Sequence, residues 1–223
     1  MSTHAPERHA WLPIAAAALT CLDAADLAHW PPAFIPEQRA RTTPLDDASA
    51  IAAGEQLPSA AQMEDWVRQA SAVLAAGRLR WSVSITLDER ELFIVAALLG
   101  HTCVLLCRQH TPDQPAPAGF IGTTCAPAEI GDVITALIPD DGQRTVTCRL
   151  SDRIDPVRAR RWVIHDCPDC PHGVSALLGA DVWEQMHAEL GGTGFQQWIR
   201  TRMAGDLIAA TAALAVDEEE IRR

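Results

Sequence analysis

The chain contains no lysine, no asparagine and no tyrosine, so all 18 of its basic residues are arginine. These gaps exclude chemistry. Without lysine there is no Schiff base, no phosphate-loop lysine and no amine general base, and without tyrosine there is no phenolic acid or nucleophile. All three missing types have AT-rich codons, which points to a high-GC source such as an actinobacterium. Positive charge is scarce too. A formal net charge of −11 argues against a nucleic-acid partner, because phosphate backbones are held by clustered cations and counterion release. Long hydrophobic runs are also missing: the longest, Leu12 to Leu19 and Leu92 to Leu99, fall well short of the roughly 18 apolar residues of a membrane helix. The sequence therefore predicts a soluble, cytoplasmic protein with no membrane partner. Trp11 to Thr20 after Arg8 has the outline of an export signal, but Glu7 and Pro13 interrupt it, and Ala18, Leu19 and Thr20 fit a processing site poorly.

What is present reads as an α/β (α+β) protein: an antiparallel meander sheet covered by helices, with a C-terminal helical pair. Three segments suggest themselves within one compact domain. Residues 1–58 hold N-terminal helices and a Pro-rich connection, 59–150 a helix, a sheet and its covering helix, and 151–223 a strand, a cysteine turn and the terminal helices. In the first segment, 9–30 read as two short helical stretches, the second opened by Asp23 and stopped by Pro31 and Pro32. Five prolines between Pro31 and Pro58 then mark an extended connection.

At Ser59 the pattern changes. Ser59 and Gln62 form a capping-box pair, and Met63, Trp66, Val67, Ala70, Val73 and Leu74 share one helical face up to a stop at Gly77. Trp81, Val83, Ile85 and Leu87 alternate with Ser82, Ser84 and Thr86, as a half-buried strand does. The run Leu92 to Leu99 suits a buried strand or a buried helix; Gly100 and the β-like run Thr102 to Cys107 favour a strand hairpin. A polar excursion with three prolines, Gln109 to Ala118, leads to a strand at Gly119 to Thr124. Pro127 then opens a helix carrying Ile130, Val133, Ile134, Leu137 and Ile138, and Arg144 to Leu150 forms a further strand. Trp162 to His165 is strand-like, and near the C-terminus Phe195, Ile199, Met203 and Leu207 step by four residues along one face.

Candidate chemistry concentrates in His165-Asp-Cys167-Pro-Asp-Cys170-Pro-His172. Two thiols at C-x2-C spacing can grip a tetrahedral metal from one tight turn, so Cys167, Cys170, His172 and His165 form a candidate zinc set, with His101, Cys103, Cys107 or His110 as further donors. The same turn, set between a strand and a helix, also suits thiol redox chemistry. The third reading is two reduced cysteines in a proline-fixed turn, with no cofactor; seven cysteines are in any case an odd number. Cys103 and Cys107 themselves read as small core residues. Other sites find little support. Ser151 and Ser175 lack a nucleophile-elbow context, His187 with Glu184 reads as a surface pair, and Gly191, Gly192 and Gly194 do not follow a strand. Six tryptophans, Trp30, Trp66, Trp81, Trp162, Trp183 and Trp198, read as core or interface bulk. The cluster Arg158, Arg160, Arg161 beside Asp152 and Asp155 reads as an ion-paired surface, and Asp217 to Glu220 as a hydrated helix end.

Several of these segments together carry a resemblance: the short N-terminal helix with its Pro-Pro exit, the helix ending at Gly77-Arg-Leu, the meander from Trp81-Ser-Val-Ser-Ile through Arg90-Glu-Leu-Phe-Ile-Val-Ala-Ala-Leu-Leu-Gly-His-Thr-Cys-Val-Leu-Leu, and Ala126-Pro-Ala-Glu-Ile-Gly-Asp-Val-Ile-Thr-Ala-Leu-Ile-Pro. Over about residues 60–150 the pattern resembles the EspG family, cytosolic chaperones of actinobacterial type VII secretion. The resemblance implies a non-enzymatic protein that binds helical secretion substrates of the PE and PPE kind. The family's second half should repeat a similar sheet, whereas 174–223 reads as helices, and the Cys-Pro-Asp-Cys turn is not a family feature.

Overall fold

The computed structural model describes residues 11–35, 58–87, 90–110, 119–138, 144–154, 160–166, 174–176 and 194–222. The α+β class is as expected, and one sheet organises it. The strands are β1 (Leu12–Ala15), β2 (Leu79–Leu87), β3 (Arg90–Leu99), β4 (Thr102–His110), β5 (Gly119–Cys125), β6 (Arg144–Asp152), β7 (Arg160–Asp166) and β8 (Val174–Ala176). They form an eight-stranded sheet in the order β1-β5-β4-β3-β2-β6-β7-β8. Every pairing is antiparallel, so β2 to β5 make a meander and β6 returns to lie beside β2.

Helix α1 (Ala24–Leu27) is capped by Asp23, whose Oδ1 accepts from the Asp26 N–H at 2.8 Å. The long helix α2 (Ala60–Ala76) opens on the expected reciprocal cap: the Gln62 N–H donates to Ser59 Oγ at 3.3 Å, and the Ser59 N–H to Gln62 Oε1 at 2.8 Å. Its last carbonyls are also satisfied. The Arg80 guanidinium donates to Leu74 O at 3.0 Å, and Arg153 to Leu74 O and Ala75 O at 3.0 and 2.6 Å, placing two cations at the negative end of the helix. Trp66, Val67, Ala70, Val73 and Leu74 are buried on its inner face. Trp66 lies against Gly122 of β5, where a Cβ would come within 2.2 Å of the indole.

Burial explains why Leu92 to Leu99 is continuously apolar. Ile94, Ala96 and Leu98 belong to a core on one side of the sheet, and Val95 and Ala97 to a core on the other. A strand covered on both faces has no wet face to mark its period. The β3–β4 turn is made by Gly100, with φ of 59°, a conformation that glycine adopts without Cβ strain.

The first core is closed by α3 (Ile130–Thr135) and by α4 (Gly194–Arg222), which buries Phe195, Ile199 and Met203. Arg200 ties the two helices, its Nε lying 2.7 Å from Asp132 Oδ1 and donating to Thr135 Oγ1 at 3.0 Å. The second core lies under α2, α1 and the N-terminal turns.

Three expectations change. The first helical stretch within 9–30 is strand β1 followed by a 3-10 turn at Ala16–Cys21; β1 sits at the sheet edge, where Pro13 has no ladder hydrogen bond to lose on its outer side. The helix opened by Pro127 is a 3-10 turn, Pro127–Glu129, and then the six residues of α3, with Leu137 and Ile138 closing it through 3-10 bonds to Ile134 O and Thr135 O. A short strand, β8, follows the cysteine run. Of the expected C-terminal helical pair, α4 is the second member; the first would fall in 177–193, outside the described residues. No helix among the described residues is long and apolar enough to cross a membrane.

Candidate functional site

Cys167, Cys170 and His172 lie outside the described residues. His165 lies in β7, where its backbone is paired with Thr145 and Ser175. Residues 167–173 thus connect two antiparallel strands whose ends, Asp166 and Val174, are paired. The redox reading sets the turn between a strand and a helix, with the helix dipole activating a thiol; here a strand follows it.

The further donors do not converge. His101 and His110 are exposed at opposite ends of β4, about 30 Å apart at strand rise, while Cys103 and Cys107 point into the core. From β4 to β7 is four steps across the sheet, through β3, β2 and β6, or roughly 19 Å at normal strand spacing. Zinc ligands all sit within about 2.3 Å of the ion, closer than strands β4 and β7 bring their own residues. Among the described residues no three His, Cys, Asp or Glu side chains are placed to hold a metal. The described core thiols are also poor nucleophiles. Burial pushes the Cys107 thiol up to about 12 and raises Cys148 further. Cys103 is raised by its hydrogen bond with Cys125, the residue opposite it in the sheet, and by burial.

Two clusters were not singled out by sequence reasoning. The first is a buried carboxylate. Asp206 of α4 is 1% exposed, accepts from Trp162 Nε1 at 3.0 Å, and lies 3.7 Å from Arg160 and 3.6 Å from Arg202. Trp162 meets Trp198 edge-on, with ring centroids 5.1 Å apart. This network fastens α4 to β7. Its signal in the sequence was an acid at i+3 from Met203 and i+7 from Ile199, on the apolar stripe itself.

The second cluster is on the opposite side of the sheet. β1, β5, β4 and β3 are covered there by α2 and the N-terminal turns, but over β2, β6 and β7 no described element lies. This open half-face carries Ser82 and Ser84 of β2, Thr147 and Arg149 of β6, and Arg161 of β7, which with Phe93 line a groove of about 310 Å³. Register assembles it: Ser82 is opposite Arg149, Arg149 opposite Arg161, and Ser84 opposite both Phe93 and Thr147. Phe93 is held from behind by Phe34, with ring centroids 5.9 Å apart.

The arginine cluster read as an ion-paired surface is therefore divided. Strand alternation sends Arg160 towards Asp206 and Arg161 to the open face. Asp152, expected beside that cluster, is instead held by Arg78, whose Nε donates to its two oxygens at 2.8 and 2.9 Å. Arg158 and Asp155 lie outside the described residues. Trp30, Trp66, Trp81 and Trp162 are buried as expected; Trp183 is outside the described residues. Comparison of the chain with known protein families and with curated proteins finds no match.

Proposed function

We propose that the protein is a non-enzymatic cytoplasmic binding protein that holds a helical partner on the open half of its sheet, as a chaperone for small secretion proteins of the PE and PPE kind would. One observation carries this reading: among the described residues, the helical layer over that side of the sheet covers β1, β5, β4 and β3 but not β2, β6 and β7. β2, β6 and β7 span about 10 Å, close to the diameter of one helix, and α2 already lies over the neighbouring strands. A partner helix laid beside α2 would complete the layer. Ser82, Ser84 and Thr147 are short side chains that allow close approach, and Phe93 adds an apolar edge. An amphipathic helix in a groove is a common mode of recognition. The test is co-expression with small helical proteins encoded beside it, followed by size exclusion. A stable complex that is lost when Thr147→Trp fills the groove supports the reading; no complex with any such neighbour overturns it.

A second reading places zinc at Cys167, Cys170, His172 and His165. The pairing of Asp166 with Val174 supports it, because it brings the two ends of the segment that carries the C-x2-C spacing together. Purification without chelator should then yield about one equivalent of zinc, and less than about a tenth of an equivalent removes the reading.

A further inference from the structure

We infer that Arg149 and Arg161, with Ser82, Ser84 and Thr147, form a binding site for the dianionic phosphoryl group of an organic phosphate monoester, with Phe93 as the wall for its organic part. The site uses the same groove as the helical-partner reading, so the two occupants would compete for it, but its ligand requires no partner protein.

The arginine pair is the starting point. Arg149 and Arg161 face each other directly across β6 and β7, both are exposed, and among the described residues neither has an acidic partner. Like charges directly opposite in neighbouring strands are unfavourable. Several other arginines of this sheet are engaged. Arg160, one residue from Arg161, faces Asp206 at 3.7 Å. Arg80 donates to Leu74 O at 3.0 Å and to His29 O at 3.3 Å, and Arg108 donates to Ala33 O. Arg149 and Arg161 are thus a cation pair that lines the groove with no acid beside it among the described residues.

The chemistry of the lining selects the ligand. Two guanidinium forks present more N–H donors than one carboxylate can accept, and three hydroxyls stand beside them. A tetrahedral dianion with three free oxygens can use both forks and a hydroxyl together. A groove of about 310 Å³ lies at the small end of the range for small-molecule sites. Phe93 is one strand beyond Ser84, on the side of the groove away from Arg161, so an ester held by the arginines reaches the ring with its organic end. The overall negative charge does not oppose this, because charges beyond about 8 Å are screened at physiological salt.

Calorimetric titration of the full chain with phenyl phosphate and with inorganic phosphate tests the site. Saturable one-to-one binding is expected, tighter for phenyl phosphate, and weakening below about pH 6 as the dianion takes up a proton. The double variant Arg149→Gln, Arg161→Gln should lose at least about tenfold in affinity for both ligands, and Phe93→Leu should remove the preference for the aryl ester. Unchanged thermal unfolding of the arginine variant confirms that it folds, as expected for exposed positions. A phosphotyrosine tripeptide that binds tighter than phenyl phosphate assigns the ester to a protein side chain; equal affinity assigns it to a free small molecule; both keep the site. Absence of saturable binding in the millimolar range, or binding that the double variant leaves intact, overturns the inference.

Discussion

The half of the sheet under α2 and the half formed by β2, β6 and β7 share one set of ladders, yet they bury their side chains differently. In β3 and β4 successive residues enter two cores, Leu105 on one side and Val104 and Leu106 on the other. In β2 and β6 only alternate residues are buried, and the residues between them are Ser82, Ser84, Thr147 and Arg149. The side that carries α3 and α4 is covered along both halves. Among the described residues the halves differ by one covering layer, and Arg149, Arg161 and the groove lie on the side without it. A sheet that is stable with one half-face open can use that half-face for binding.

Substitutions can break this contrast directly. Ile94→Ala in β3 should cost about 2 to 5 kcal/mol, the usual range for emptying a well-packed core, whereas Thr147→Ala on the open face should stay within about 0.5 kcal/mol; urea unfolding of the pair measures the difference. A similar cost for both would mean that the open face is not open. Asp206→Ala should cost about 1 to 3 kcal/mol, because it leaves Trp162 Nε1 buried without an acceptor. Asp206→Asn keeps an acceptor and should cost less, so equal losses would show that the Trp162 hydrogen bond is not what holds α4.

Alkaline titration sharpens the comparison further. Cys107, in the doubly covered half, has its thiol raised by burial from 9.0 to about 12. Between those values the unfolded chain releases the proton and the folded one keeps it, so this contribution is complete below pH 9 and is lost as pH rises towards 12, at about 1.4 kcal/mol per pH unit. Cys107→Ala should flatten stability over that window; an unchanged slope would locate the alkaline loss elsewhere. A modest loss is expected at the start of the covering helix, where Ser59→Ala should cost about 1 kcal/mol, read as a lower midpoint of thermal unfolding.

Local pattern made much of this fold legible. The capping box at Ser59 and Gln62, the alternation of Trp81 to Leu87 and the hairpin at Gly100 each depend on residues close in sequence, and each is where the sequence places it. β1 was not legible: four residues with a proline become a strand only because β5, more than a hundred positions away, offers an edge. The buried Asp206 was marked by its phase on the α4 stripe, but nothing local tells that Trp162 waits opposite. The cysteine run was visible at once, while its setting between two paired strands depends on β8, which is three residues long. The groove could not be read at all, because its lining comes from four strands, and Arg161 was grouped with its sequence neighbours when alternation places it across the sheet from Arg160.

The amino-acid order alone determined the strands and helices of the meander and its covering helix α2, what chemistry the missing lysines and tyrosines remove, and where a metal-gripping turn could stand. Those are properties of short windows, governed by periodicity, capping and side-chain type. Tertiary structure decided the order of the strands, which half of the sheet has a second cover, and which arginines find acids. These depend on pairings between distant segments, and a strand of alternating polarity records only that one of its faces is wet, not what lies beyond it.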